Sequence, residues 1–207
     1  MQNNKFNFLR LTLLTKRVFD IIFSISGFLV TLPFWVIIPL AIYLKDGRPI
    51  LFSDTRVGRN KKFYKHFKFR SMAKEAEKES GPVWAAKQDL RVTKVGRILR
   101  KTALDELPQL INILKGDMSV VGPRPERPFF VDKFIEKIPG YERRLTVKPG
   151  LTGMAQVYGK YDTPAKKKLA YDLEYIGKMN ILLDLKLVFL SLLITLSAGW
   201  MRFEQEG

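Results

Sequence analysis

Apolar side chains run without a charge from Ile21 to Leu44, longer on paper than the roughly 20 residues a helix needs to cross a bilayer. Pro33 divides the run into halves that are each too short to cross alone. Lys5, Arg10, Lys16 and Arg17 precede it, and Lys45, Arg48, Arg56 and Arg59 follow it. The positive-inside rule therefore places both ends on the same, cytoplasmic side. A kinked hairpin dipping into one leaflet satisfies both features, with a bent true span and a buried soluble helix as the alternatives. Carbonyls freed near Leu29 would have to bond locally or to a neighbouring element. The run is too long, and lacks the small-residue site, for a cleavable signal.

The pattern then shortens. From Arg48 to Arg70, Phe63, Phe67 and Phe69 fall at even spacing among cations around a Val-Gly-Arg-Asn turn, which predicts an antiparallel β-hairpin with one basic face, set against lipid headgroups or nucleic acid. Ser71 to Glu79 reads as a short polar helix stopped by Ser80-Gly81-Pro82, and Val83 to Leu90 as a loop. Thr93, Val95, Ile98 and Leu99 open a helix that delivers Arg100. Leu104, Leu107, Ile111 and Leu114 recur as one helical stripe, which puts Asp105 and Glu106 in that helix's first turn. Pro108 suits such a turn, and Thr102 or Asp105 could cap it.

Phe129 to Ile138 reads as an amphipathic helix stopped at Pro139-Gly140. In Lys148-Pro149-Gly150-Leu151-Thr152-Gly153 the glycines permit positive φ and close approach to a ligand, although a structural turn needs the same residues. Tyr171 to Ile176 opens a helical region. Ile181 to Leu196 is apolar apart from Asp184 and Lys186, and with Trp200 it fits an interfacial helix or a core helix. The expected fold is α+β: a predominantly helical membrane-associated domain with a small antiparallel hairpin and an N-terminal re-entrant helix. Its divisions are a basic segment and anchor over 1–46, a main folded domain over 47–200 and a tail over 201–207.

Composition narrows the chemistry. The 207 residues carry a formal net charge of +16, so partners should be acidic: nucleic acid, anionic lipid or a phosphorylated small molecule. With no cysteine and His66 the one histidine, disulfides, thiol nucleophiles and multi-histidine metal clusters are excluded. Carboxylates remain as nucleophiles or bases, and a hard ion such as Mg²⁺ as the metal.

Asp105 and Glu106 are the carboxylates with cationic company. Adjacent side chains on a helix diverge, so the two cannot flank one bond and must divide the labour; ordinary helix-terminal charges are the plain alternative. Arg100 and Lys101 precede them. Arg124 follows between Pro123 and Pro125, which stiffen its backbone and suit its fork to a phosphate; a structural arginine is the alternative. Lys148 and the amides around Thr152 are candidate phosphate or nucleotide contacts.

Arg100, Leu-Asp-Glu-Leu-Pro-Gln-Leu, Lys115-Gly116-Asp117-Met118-Ser119, Val121-Gly122-Pro123-Arg124-Pro125 and the segment from Lys148 to Gly153 together resemble the bacterial sugar transferases. More narrowly, they resemble the small monotopic phosphoglycosyl transferases, from about Lys16 to Leu196. The resemblance implies an enzyme of the inner membrane's cytoplasmic face that moves a sugar-1-phosphate from a UDP-sugar to polyprenyl (undecaprenyl) phosphate, releasing UMP with Mg²⁺ as cofactor. It implies Asp105 as nucleophile, Glu106 as metal ligand, Arg100 at the polyprenyl phosphate, and Arg124 near the donor phosphates. Pro123, Pro125 and Thr152 fall in the expected nucleotide-sugar pocket, and nucleic acid is not an expected partner. The family's anchor breaks at a Ser-Pro pair. Here the position reads Leu32-Pro33, which keeps the proline and loses a hydroxyl. The competing reading is a non-enzymatic basic adaptor on membrane or nucleic acid.

Overall fold

The computed structural model describes residues 2–74, 76, 89–160 and 162–197, and for residues 2–11 the backbone alone. Two helices, α1 (Gln2–Val30) and α2 (Phe34–Asp46), meet at a bend of 62°. Among the described residues no single helix is long and apolar enough to cross a membrane, while this bent pair, taken together, meets the test of length and composition. That is the geometry of a re-entrant anchor.

The bend shows how the missing hydroxyl is replaced. Pro33 stands at the start of α2, where its absent N–H is no loss. One residue before the position of the departure, Thr31 donates from Oγ1 to the carbonyl of Gly27 at 2.7 Å and accepts from Trp35 Nε1 at 3.2 Å. The carbonyl of Leu29 accepts from the Leu32 amide at 3.3 Å. The backbone groups around the break are thus met locally, by a hydroxyl displaced by one position.

α1 is built inside out. Lys16, Asp20 and Ser24, one turn apart, are buried against the rest of the molecule, whereas Leu14, Val18, Ile22, Ile25 and Leu29 stand exposed on the opposite face. Lys16 Nζ meets Asp184 Oδ2 at 2.6 Å, and Tyr175 donates to the other oxygen of Asp184 at 2.7 Å. Asp20 accepts from Ser119 Oγ and from the Val120 amide, both at 2.8 Å.

The hairpin forms as expected. β1 (Leu51–Val57) and β2 (Phe63–Phe69) pair antiparallel from Leu51 opposite Phe69 to Val57 opposite Phe63. The described part of the predicted polar helix, by contrast, is not helical: Met72 bridges to Val92, Ala73 donates to the Arg91 carbonyl, and the Ala76 amide turns back to the Ala73 carbonyl. A partner strand supplied by tertiary contact outweighs weak local helix preference there. The rest of that stretch, most of the loop expected after it, Trp200 and the tail over 201–207 lie outside the described residues.

α3 (Lys94–Lys101) starts at Thr93, whose hydroxyl accepts from the Gly96 amide at 2.9 Å. A Cβ at Gly96 would collide with the Ser71 backbone, so glycine lets α3 lie against that segment. Then come α4 (Gln109–Lys115), β3 (Ser119–Val121), α5 (Pro128–Lys137), β4 (Gly150–Thr152), α6 (Met154–Tyr158), α7 (Ala165–Lys178) and α8 (Ile181–Leu196). β3 and β4 pair in parallel, and the main core gathers Leu110, Ile113, Met118, Val121, Tyr175 and Leu187 around them. α8 adds Leu187 and Val188 to that core and leaves Leu182, Phe189 and Leu196 exposed, so it is at once a core helix and an apolar outer surface.

Candidate active site

Asp105 and Glu106 do not lie in the first turn of an α-helix. They occupy a single 3-10 turn, Leu104–Glu106, entered from Ala103 in the left-handed conformation, and α4 begins only after Pro108. The correction extends to the stripe: α4 buries Gln109, Leu110, Asn112 and Ile113, while Leu114 is exposed. Pro108 resets the helix, so the phase carried forward from Leu104 is lost. Neither Thr102 nor Asp105 caps it; the Thr102 hydroxyl turns back to the Ile98 carbonyl at 2.9 Å.

The turn presents both carboxylates to β2. Lys68 Nζ lies 2.6 Å from Glu106 Oε1 and 3.9 Å from Asp105 Oδ2, and Arg124 Nη2 reaches the same Glu106 oxygen at 2.6 Å. Arg100, at the end of α3, bonds Ser71 Oγ through Nε at 2.9 Å, and its charge acts on Asp105. The residues expected from sequence as dyad, Arg100 and Arg124 thus share one electrostatic neighbourhood.

That neighbourhood splits the two acids. Burial would raise Glu106, but Arg124 and Lys68 together hold it well below the usual carboxylate range. Asp105, 6% exposed, is pushed up by burial; Lys68, Arg100 and Arg124 oppose the rise and Glu106 adds to it. Neighbouring acids whose environments drive them apart are equipped for different tasks.

Pro123 and Pro125 act through the backbone. The Pro123 carbonyl accepts from the Gly150 amide at 2.9 Å and the Pro125 carbonyl from Arg56 Nη1 at 2.9 Å. Arg124 is held further by Arg144, which donates to the Arg124 carbonyl at 2.8 Å, to Asp172 Oδ2 at 2.7 Å and to Tyr141 Oη at 2.8 Å.

The glycine segment differs from expectation. Gly150 and Gly153 are not in the positive-φ region; a Cβ on either would strike the Gly122 backbone. Their smallness brings β4 against the chain before Arg124. Thr152 is buried in that strand, paired with Val121. Lys148 lies beside Gly116 and Arg17, lowered by burial and by the Arg17 charge, and no recorded contact among the described residues joins it to the dyad.

Sequence reasoning missed Lys68 and the Arg144–Asp172–Tyr141 group. Strand alternation held the signal for Lys68, since Tyr64, His66 and Lys68 share the face opposite the phenylalanines. For Arg144 the local sequence held none.

The family profile described as bacterial sugar transferase matches residues 11–198. The chain belongs to the bacterial sugar transferase family. It is 42% identical over 195 residues to the exopolysaccharide production protein PSS of Rhizobium leguminosarum bv. phaseoli, covering 90% of this chain and 98% of that one. It is 51% identical over 130 residues to a putative undecaprenyl-phosphate N-acetylgalactosaminyl 1-phosphate transferase of Bacillus subtilis, covering 63% of this chain and 72% of that one. The UDP-glucose:undecaprenyl-phosphate glucose-1-phosphate transferase of Escherichia coli is 44% identical over 183 residues, which take in 86% of this chain but 39% of that longer protein. This family member is an enzyme of the phosphoglycosyl transferase class, so the adaptor reading falls away.

Proposed function

We propose that this sugar transferase moves a sugar-1-phosphate from a UDP-sugar to undecaprenyl phosphate in two steps, through a covalent adduct on Asp105. In the first, an Asp105 carboxylate oxygen attacks the phosphorus that bears the sugar, and the bond to the second phosphate breaks as UMP leaves. In the second, a phosphate oxygen of the acceptor attacks the same phosphorus, displaces Asp105 and yields the lipid diphosphosugar. The reading is supported above all by a buried acidic pair clasped between Lys68 and Arg124, with Arg100 beside it.

Phosphoryl transfer asks chiefly for positioning and for cations where negative charge gathers. In this reading Lys68 and Arg124 answer the donor's phosphates, and Arg100, bonded to Ser71 and acting on Asp105, answers the acceptor's. Among the described residues no group of three acidic or histidine side chains could hold a metal. Mg²⁺ bound through one or two carboxylates and substrate phosphates needs no such group, so Glu106, ionised and beside Asp105, fits; the ion would supply further positive charge to the diphosphate. Lys148 and Thr152 are assigned a lesser part, outside the dyad's own contacts.

The anchor, with both basic flanks on one side, sets the enzyme on the cytoplasmic face of the inner membrane. Incubation with UDP-sugar labelled in the sugar should leave label on the wild-type chain and none on Asp105→Asn. UMP release at wild-type level by that variant would remove the assignment.

A further inference from the structure

A groove of about 440 Å³ runs along the outer edge of β1, between Phe52, Ser53, Asp54 and Thr55 on one side and Arg127 and Phe129 on the other. It is shallow and largely open to solvent, so a ligand there would lie along the strand edge. Two connections join it to the dyad. Phe52 pairs with Lys68 across the ladder, so their side chains stand side by side on one face, and Lys68 holds Glu106. The opposite wall begins three residues after Arg124, on the same loop.

The strand edge itself is informative. β1 pairs with β2 alone in its sheet, and the Val57 amide turns the other way, to the Glu126 carbonyl at 3.0 Å. Backbone direction alternates along a strand, so the N–H and C=O groups of Ser53 and Thr55 turn the same way, towards the groove. No backbone partner for them is recorded among the described residues. The groove thus offers a short row of alternating acceptors and donors, flanked by aromatic rings; Phe129 is 45% exposed. The floor is stiff, because Asp54 accepts from Arg56 at 2.8 Å, Arg127 at 3.0 Å and His66 at 3.2 Å.

We propose that this groove is the subsite for the donor's nucleobase, with uracil's imide edge read by the β1 backbone at Ser53 and Thr55 and its ring stacked against Phe129 or Phe52. The assignment rests on the UDP-sugar reading above. Uracil presents carbonyl, N–H and carbonyl in sequence, which a strand edge matches; cytosine lacks that N–H. Losing a stack on an aromatic side chain weakens binding roughly 5- to 150-fold per base, and Phe52, in the groove's wall, is the cross-strand neighbour of Lys68.

The test compares inhibition of the full-length enzyme, in lipid nanodiscs, by UMP, CMP and inorganic pyrophosphate, for wild type, Phe129→Ala and Thr55→Pro. Proline is tolerated on an edge strand where its N–H faced outward, so Thr55→Pro removes the donor and keeps the ladder. The inhibition constant for UMP should rise about tenfold or more in both variants. That for pyrophosphate should stay within about twofold, and the wild type's preference for UMP over CMP should vanish in Thr55→Pro. A UMP constant unchanged in both variants, or a rise that pyrophosphate shares, overturns the proposal. So does reduced liposome binding by Phe129→Ala with UMP inhibition intact, which would give the ring to lipid. If the wild type releases no UMP from any UDP-sugar, the donor reading itself fails; normal turnover with UMP inhibition indifferent to both variants refutes the base subsite alone.

Discussion

Lys68 is the side chain on which the two acids depend. It touches Glu106 at 2.6 Å and approaches Asp105 at 3.9 Å, so one ammonium bridges the residue held ionised and the residue that burial pushes up. Lys68→Met should lower kcat by about 10²-fold, the usual cost of losing one charge-stabilising group, in a UMP-release assay. His66 gives a separate prediction for stability. Burial lowers its pKa below the ordinary 6.5, against the opposing bond to Asp54. Asp54 is itself held low, so it accepts from a neutral ring protonated at Nδ1. A folded-state value below the unfolded one means the unfolded chain binds the extra proton. Stability from this site is therefore complete above about pH 6.5 and declines as pH falls below it. The melting temperature should fall with acidification in that window, and His66→Gln should flatten the slope.

At the scale of elements, two contacts carry geometry that side-chain chemistry alone would not supply. The Thr31 hydroxyl closes the bend between α1 and α2, and Trp35, its partner, packs on Phe28 and on Phe69 of β2 at centroid distances of 4.7 Å and 5.7 Å. The bend is thereby joined to the strand that carries Lys68. Thr31→Val should straighten a share of the anchors, detected as accessibility of a cysteine placed near the N-terminus from the opposite side of the bilayer, while Thr31→Ser should not. In the second contact Gly150 of β4 meets Gly122, the residue just past β3. Gly150→Ala drives a methyl into the Gly122 backbone and should cost about 2–3 kcal/mol, as overpacking does, read as a lower unfolding midpoint.

Over the whole molecule, the anchor is packed into the rest of the structure through polar contacts. Lys16, Asp20 and Ser24 face inward; the partners of Lys16 lie on α8 and α7, and those of Asp20 on β3, the strand leading to Arg124. Lys16→Met would leave Asp184, buried between α1 and α8, without its cation; removing one partner of such a pair costs about 3–5 kcal/mol. Its melting temperature in nanodiscs should fall accordingly, and acceptor turnover should fall with it, because the proposed function needs this docking to hold the acidic pair at headgroup depth.

Much of this was legible because it is written locally. The uncharged run broken by Pro33 announced a bent anchor, alternation around Val-Gly-Arg-Asn announced the hairpin, and Asp105, Glu106, Arg100 and Arg124 stood out as candidates by residue type and by family likeness. Hydrophobic period, proline stereochemistry and charge density are properties of neighbouring residues, so sequence determined these on its own. Which face of β2 meets the acids, where Pro108 resets the helix, how Gly150 and Gly153 serve strand packing, and why polar Lys16 and Asp20 lie inside a lipid-facing helix were decided only by the tertiary structure. Each depends on a partner scores of residues away, and a contact of that kind leaves no period in the chain that makes it.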